Sequence, residues 1–220
     1  GYFTGAEHAK IDHKRIIQSM DVYKTKLALE KSALYSFESM ILSRYQMFKA
    51  VYFHKTVRSA EVMMLESIRL SDEYCGFTEL NLDNYVKLTD EFVISQILSL
   101  DDHTCEQKRA KKFALDYQNR RLLKCVYEKI MTKKSHNSEQ IRSQIAKKSR
   151  LDLDEIFVDT SGTSSLPLTP AKEKTKSITL ITSAKPLEIP FSKIPVVSSM
   201  AESMNILRVY TSQNNRKKVE

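Results

Sequence analysis

The stretch that decides the fold runs from residue 31 to residue 70 and reads KSALYSFESMILSRYQMFKAVYFHKTVRSAEVMMLESIRL. Its apolar side chains recur every three or four residues, which is the period of one helix face. They are Leu34, Phe37, Ile41, Tyr45, Phe48, Tyr52, Val57, Ala60, Met64 and Ile68. No Gly or Pro stands between Gly5 and Gly76, so the residues that most often break helices are missing. We predict one long amphipathic helix with a bend near Tyr52–Thr56.

Further helices and a β-rich C-terminal region follow this stretch. Thr89 is suited to cap a helix over Phe92–Leu100. Two more helices are predicted over residues 106–131 and 138–149, and β-favouring segments over 155–159, 177–182 and 207–211. The predicted fold is mainly α, with a helical body over residues 1–150. A smaller C-terminal α+β lobe over residues 151–220 carries an exposed, flexible loop near 160–176.

Composition limits the class of protein. The chain has 220 residues, of which 41% are hydrophobic and 28% charged, as in ordinary globular proteins. No apolar run approaches the roughly 20 residues that span a bilayer, so we expect no membrane partner. The chain begins with Gly1, and we expect it to be part of a longer protein. Cys75, Cys105 and Cys125 form no CxxC pair, and we expect three reduced thiols in a cytoplasmic protein.

The positive charge is concentrated in one segment. The whole chain carries a net charge of +8. Residues 106–150 contain 14 basic and 4 acidic residues, and the preceding segment 71–105 contains 1 basic and 8 acidic residues. Such a field attracts phosphates. The alternative is a solvated basic face that pairs with the acidic segment.

The sequence contains no complete set of catalytic or metal-binding residues. Its histidines are His8, His13, His54, His103 and His136, and they form neither HExxH nor a His-Asp dipeptide. P-loop, GxGxxG and GxSxG motifs are also missing. We therefore expect this chain to hold no metal ion and to contribute no catalytic residue.

One helical segment carries a different kind of chemistry. Four side chains are expected along one side of the helix, namely Arg44, Phe48, Tyr52 and Lys55. A guanidinium fork binds phosphate oxygens, and a tyrosine offers a ring face and a hydroxyl, so the segment is able to hold a nucleotide. The alternative is that Phe48 and Tyr52 belong to the core while Arg44 pairs with Glu38 or Glu61.

Several motifs, collinear along the chain, resemble the HD-superfamily deoxynucleoside triphosphate triphosphohydrolases. The segment 43–58 is similar to the long helix of that family. The other similar segments are Asp12–Arg15, Tyr85–Asp90, Asn119–Lys124, Asp154–Asp159 and Leu207–Tyr210. The resemblance implies that the parent protein is a metal-dependent phosphohydrolase acting on (deoxy)nucleoside triphosphates. Its divalent metal ligands would precede this chain.

The resemblance also implies roles for individual residues. Arg44 stands where the family binds the substrate triphosphate, and Tyr52 where a tyrosine packs against the sugar. Phe53 stands where a human member of the family reads the base with a glutamine. The positions that contact regulatory nucleotides between subunits correspond to Arg15, His54, Lys55, Arg120 and Lys124. The implied partners are nucleotides and further copies of the chain in a homo-oligomer.

Two other functions remain open. The first is a helical nucleic-acid-binding module in which the basic segment contacts the phosphate backbone. Its contact residues would be Lys108, Arg109, Lys111, Lys112, Arg120, Arg121 and Lys124. The second is an assembly domain without enzymatic activity, with the long helix as a subunit interface.

Overall fold

The computed structural model describes residues 11–131, 137–161, 177–182, 186–190, 193–194, 196 and 206–220. Of these residues 59% are helical and about 21% lie in strands, so the prediction of a mainly α chain is confirmed. The chain clusters into two compact units. The first takes the described residues among 1–54, 129–136 and 160–207, and the second takes those among 55–128, 137–159 and 208–220. The predicted domain division at residue 150 stays a prediction.

The first unit combines two helices with a four-stranded sheet. Its helices are α1 (His13–Gln18) and α2 (Leu34–Met47), and its strands are β1 (Met20–Tyr23), β2 (Lys26–Glu30), β5 (Ser177–Ile181) and β6 (Leu187–Pro190). The sheet order is β1-β2-β5-β6, with β2 and β5 parallel and the two outer pairs antiparallel. Ile16, Leu29, Ala33 and Leu180 form the core between sheet and helices.

The hairpin β1–β2 was not predicted from the sequence. Its two central residues, Lys24 (φ 45°) and Thr25 (φ 68°), both have positive φ, as a type I′ turn requires. Asn-Gly and Asp-Gly are the usual residues of such a turn. Lys-Thr carries no comparable signal, so the hairpin escapes a search for turn residues.

The single long helix predicted over residues 31–70 was not confirmed. Helix α2 ends at Met47, a π-helical turn follows over Phe48–Tyr52, and α3 (Lys55–Cys75) begins in the second unit. The amide of Phe53 donates to the carbonyl of Phe48 at 2.7 Å, a bond that spans five residues and inserts one extra residue into the turn. The spacing of apolar residues in the sequence does not reveal such an extra residue.

The second unit is built on the pair of helices α3 and α6 (Cys105–Gln118). Small buried residues line their contact, including Ser67, Ala110 and Ala114, and the Ser67 hydroxyl donates to the Ala110 carbonyl at 2.8 Å. The short helix α4 (Leu82–Tyr85) and α5 (Asp90–Leu98) follow α3. Gly76, with φ 64°, ends α3, as expected for a glycine after a helix.

A three-stranded sheet and two short helices complete the description. The sheet order is β3-β7-β4, from β3 (Lys124–Ile130), β4 (Ile156–Ser161) and β7 (Ile206–Thr211). Every residue of the central strand β7 is buried. The Tyr210 hydroxyl donates to the Lys55 carbonyl at 3.0 Å, and burial raises the pKa of this tyrosine. Helices α7 (Ser138–Ser149) and α8 (Arg216–Val219) contact each other.

The predicted helix over residues 106–131 is wrong in its second half. Helix α6 stops at Gln118, and the apolar residues after it belong to a loop and to β3. The predicted cap at Thr89, helix α7 and three of the strands agree with the structure. Thr89 accepts from the Phe92 amide at 3.2 Å, and α7, β4, β5 and β7 lie within one or two residues of their predicted positions. The predicted loop near 160–176 lies outside the described residues after Ser161.

Candidate functional site

The second unit contains a cleft of about 1120 Å³. Its wall is formed by the end of α6, the loop to β3, the turn Leu153–Glu155 and the loop after β7. Apolar side chains, Phe113 and Phe157 among them, form part of the lining. These two rings pack edge to face, with 5.7 Å between their centroids. A cleft of this size is sufficient for a nucleotide-sized ligand.

Charged side chains of both signs line the cleft. The cations are Arg109, Lys112, Arg120, Arg121 and Lys124, and the carboxylates are Asp116, Asp152, Asp154 and Glu155. Asp116 pairs with two of the cations, Lys112 at 2.6 Å and Arg121 at 3.1 Å. Arg109 forms an ion pair with Asp154. Three cations of the cleft are therefore already neutralised by carboxylates of the same unit.

Arg120 and Lys124 differ from these three cations. Both are exposed, and within the described part of the chain neither side chain forms a salt bridge or a hydrogen bond. They are also the two residues of this cleft for which the sequence predicted contact with a nucleotide. The structure brings them to one cleft and leaves their positive charge available to an anionic ligand.

The backbone at Arg120 places its side chain beside the cleft. Asn119 caps the C-terminus of α6, and Arg120 follows in the left-handed region at φ 55°. The Arg120 amide donates to the Tyr117 carbonyl at 3.1 Å, and the Arg121 amide donates to the Asp116 carbonyl at 2.8 Å. These two bonds form a Schellman motif, whose left-handed position is usually occupied by glycine. An arginine there is under backbone strain, a condition that accumulates at functional sites.

The predicted substrate residues form a second candidate site, in the first unit. The Arg44 guanidinium lies 5.5 Å from the centre of the Phe48 ring, which lies 4.8 Å from the centre of the Tyr52 ring. Tyr52 is 51% exposed and Arg44 is also exposed. Arg44 forms no salt bridge with any described residue, and Glu61 pairs with Arg58 instead. The alternative in which Arg44 pairs with Glu38 or Glu61 is therefore wrong.

The other predicted contact residues are placed less favourably for one shared site. Phe53 is 3% exposed and packs against Tyr45 and Phe48, so little of its ring is accessible to a ligand. Arg15 donates to the Ser32 carbonyl at 3.1 Å in the first unit. His54 is exposed at the end of the first unit, and Lys55 begins the second unit. Their contacts with ligands stay predictions.

Within the described ranges, no three side chains of His, Cys, Asp or Glu lie close enough together to hold an ion. The same ranges contain no helix with the length and apolar character of a bilayer span. The residues that are described therefore do not fit the divalent metal that the resemblance assigns to the parent protein.

The cleft contains residues that the sequence did not single out. Asp116, Asp154 and the residues 212–214 come from three different segments. The acidic residues matter most, because they determine which basic residues are left without a counter-charge. No local pattern indicates the pair of Arg109 and Asp154, which are 45 positions apart.

Comparisons with known proteins place this chain in a family. Residues 11–220 match the family model described as HD associated region. Among curated proteins, the chain is 31% identical over 117 residues to the uncharacterized protein YwfO of Bacillus subtilis. It is also 30% identical over 92 residues to a putative HD domain-containing protein of Acanthamoeba polyphaga mimivirus. These matches cover 46% and 40% of the chain but only 27% and 20% of the relatives.

Solved structures share the fold over nearly the whole chain. A hypothetical protein from Aquifex aeolicus matches with a TM-score of 0.67 at 20% identity, over 100% of this chain and 54% of that one. A phosphohydrolase from Bacteroides thetaiotaomicron matches with a TM-score of 0.64 at 19% identity, over 96% of this chain and 58% of that one. The chain thus spans about half the length of these structures.

The family match covers almost the whole chain, and the structural matches have the same fold. Together they confirm the predicted link to the HD superfamily. The chain belongs to the family of HD-associated regions.

Proposed function

We propose that this chain is part of an HD phosphohydrolase and that its second-unit cleft binds the polyphosphate of a nucleotide. The single observation that carries the proposal is the pairing in the cleft. Lys112, Arg109 and Arg121 are neutralised by carboxylates, whereas Arg120 and Lys124 are exposed and unpaired among the described residues. Unpaired cations in a cleft that is partly lined by apolar side chains favour a ligand with both a charged and an aromatic part.

A nucleotide meets this requirement better than a nucleic acid bound along the whole basic segment. The alternative module would need the cations of α6 to be available to phosphates. Lys111 instead donates to the Leu100 carbonyl at 2.7 Å and lies 3.2 Å from Asp102. With Arg109 and Lys112 also paired, most of the helix's positive charge is neutralised within the chain.

The first-unit row of Arg44, Phe48 and Tyr52 supports a second nucleotide contact. An unpaired guanidinium suits a triphosphate, and an exposed tyrosine ring suits a sugar. We assign Arg44 and Tyr52 to the substrate of the parent enzyme, a (deoxy)nucleoside triphosphate. The cleft residues Arg120 and Lys124 are assigned to a regulatory nucleotide, and homo-oligomerisation is part of the same proposal.

The proposal gives this chain no metal-dependent step. The described residues form no metal-binding cluster, so the divalent ion of the parent enzyme would be held by other residues. The contribution of this chain is to bind and orient phosphates. We expect the isolated chain to show no nucleotide hydrolysis, which incubation with deoxynucleoside triphosphates and Mg²⁺ or Mn²⁺ measures directly.

Binding to the cleft is tested by isothermal titration of the full chain with dATP and dGTP. Arg120→Ala and Lys124→Ala each remove one unpaired cation. Each variant should weaken binding about tenfold, because a charge-assisted contact contributes roughly 1.5 kcal/mol at an exposed position. The loss should be smaller at high salt, since salt screens exposed charges.

Lys112→Ala is the matched control. It removes the same charge from the same cleft, but its ammonium is already held by Asp116 at 2.6 Å. The affinity of this variant should stay within about twofold of wild type, as for a surface pair worth less than 1 kcal/mol. Equal losses in all three variants would show that the cleft acts only through its net charge. Unchanged affinity in Arg120→Ala and Lys124→Ala would exclude the proposed site.

A further inference from the structure

We propose that helices α7 and α8 form a second anionic-ligand site, which binds the phosphate backbone of double-stranded nucleic acid. The basic residues of this surface, called the α7–α8 patch below, are Lys147, Lys148, Arg150, Lys217 and Lys218. All are exposed, and none of them lines the cleft. The site is therefore separate from the proposed nucleotide site.

Packing between the two helices joins the two segments that carry these cations. Val219 of α8 packs against a core cluster that includes Ala146 and Ile145 of α7. The lysine pair 147–148 directly follows the buried Ala146, and the pair 217–218 directly precedes Val219. Each pair is thus next in sequence to a residue of this cluster, although the two pairs are about 70 positions apart.

The charge of the patch is not neutralised by the chain. Within the described residues, none of its five side chains forms a salt bridge or a hydrogen bond. The neighbouring carboxylate of Glu220 is occupied by Arg216 at 2.6 Å. Cations in the last turn of a helix also interact favourably with the negative end of the helix dipole. This effect is limited to about 1 kcal/mol at exposed sites and does not explain five unpaired charges.

Arg150, the remaining cation of the patch, lies at the end of α7. It follows α7 in the left-handed region at φ 54°, and its amide and the Leu151 amide both donate to the Ala146 carbonyl. Glycine is the usual residue at such a position because a side chain there costs roughly 1–2 kcal/mol. A long cation stands at the strained position instead, beside the lysines.

The side chains around these cations define the ligand class. Neither α7 nor α8 contains an aromatic residue, so the patch offers no platform on which single-stranded bases stack. Neither helix has an exposed large apolar side chain of the kind that membrane-surface helices insert into lipid. Only phosphate contacts remain, and a duplex backbone presents phosphates at regular, rigid spacing.

Salt dependence provides the expected magnitude. Each phosphate neutralised on duplex DNA adds about 0.9 to the slope of log affinity against log salt, so five contacts predict a slope near 4.5 in absolute value. Binding should not depend on base sequence, because no side chain of the patch is placed to read bases.

The experiment measures fluorescence anisotropy of a short labelled DNA duplex with the full chain over a series of NaCl concentrations. Two charge reversals test the patch, Lys147→Glu with Lys148→Glu and Lys217→Glu with Lys218→Glu. Each pair should weaken binding at low salt at least tenfold and lower the slope by about 2, one unit for each lost contact. The control pair is Lys24→Glu with Lys87→Glu, which changes the net charge equally at exposed positions elsewhere.

Several results would overturn the inference. One is equal weakening in the control pair, which would mean that net charge alone drives binding. Another is tighter binding of a single strand of the same length, or binding to phosphatidylserine vesicles without binding to the duplex. A third is a duplex affinity and slope that the patch variants leave unchanged. Circular dichroism of each variant establishes that the helices are retained, and nucleotide titration of the same variants shows that the cleft is unaffected.

Discussion

Replacing Arg120 with glycine should separate the stability of the chain from its proposed function. Arg120 occupies the left-handed position of the Schellman motif at φ 55°. The strain of a non-glycine residue there costs roughly 1–2 kcal/mol of folding free energy, which glycine would recover. The larger conformational entropy of glycine in the unfolded state offsets roughly 0.5–1 kcal/mol of this gain. Arg120→Gly should therefore stabilise the chain by about 1 kcal/mol, which corresponds to about 2–4 °C in Tm.

The same substitution should weaken nucleotide binding. It removes one of the two unpaired cations from the cleft, so affinity for dATP or dGTP should fall about tenfold, or by 1.4 kcal/mol. Thermal unfolding and isothermal titration on the same preparation measure the two effects. Arg120→Asn, which tolerates the left-handed region but carries no charge, should also lose affinity.

Arg150→Gly is the matched control for stability. Arg150 has nearly the same φ, 54°, at the end of α7, and its side chain does not line the cleft. It should raise Tm by a similar amount and leave nucleotide affinity unchanged. If Arg120→Gly is stabilised and binds nucleotide as wild type does, the strained arginine has no role in this cleft. If it is destabilised, the assignment of strain to Arg120 is wrong.

Three further predictions concern ion pairs, titration and the substrate. Asp159→Asn should destabilise the chain by about 2 kcal/mol, because it removes the carboxylate that Arg58 contacts at 2.5 and 2.9 Å. Urea unfolding measures the change in stability, and a loss below about 0.5 kcal/mol would contradict the prediction. The hydrogen bond from the Thr78 hydroxyl, with that from its amide, lowers the pKa of Asp72, so Thr78→Val should raise that pKa towards its ordinary value in an NMR titration. A carboxylate whose pKa is lowered by folding stabilises the fold at pH values above its ordinary pKa, and this stabilisation is lost as the pH falls through the lowered pKa. The stability of the variant should therefore decline less in acid than that of the wild type. In the proposed full-length phosphohydrolase, Arg44→Ala should lower kcat/KM for a deoxynucleoside triphosphate about tenfold without changing the fold. An unchanged value would limit Arg44 to packing on Phe48.

Local patterns in the sequence predicted those parts of the fold that depend on neighbouring residues. The cap at Thr89, the helix over residues 138–149 and the strands near 156–161 and 206–211 were all predicted and are present. Caps, helix periodicity and β-favouring runs act over a few residues, so one segment contains all the necessary information. The row from Arg44 to Tyr52 was predictable for the same reason, since helical spacing places residues four apart on one side.

Local patterns failed where a backbone hydrogen bond or a turn departs from the regular repeat. The π-helical turn at Phe48–Tyr52 and the left-handed Arg120 both interrupt stretches whose apolar spacing continues as if the helix did. The residues that follow the loop after Arg120 form β3 by pairing with β7, which is distant in sequence. Propensity over a short window does not contain that pairing.

The sequence by itself determined the family resemblance, the mainly α character and the positions of the candidate cations. Only the tertiary structure decided which of those cations are left without a carboxylate partner among the described residues. Arg109 is neutralised by Asp154, 45 positions away, whereas Arg120 and Lys124 meet no described carboxylate. The physical reason is that an ion pair depends on a distance of a few ångströms in space, and folding sets that distance without regard to separation along the chain.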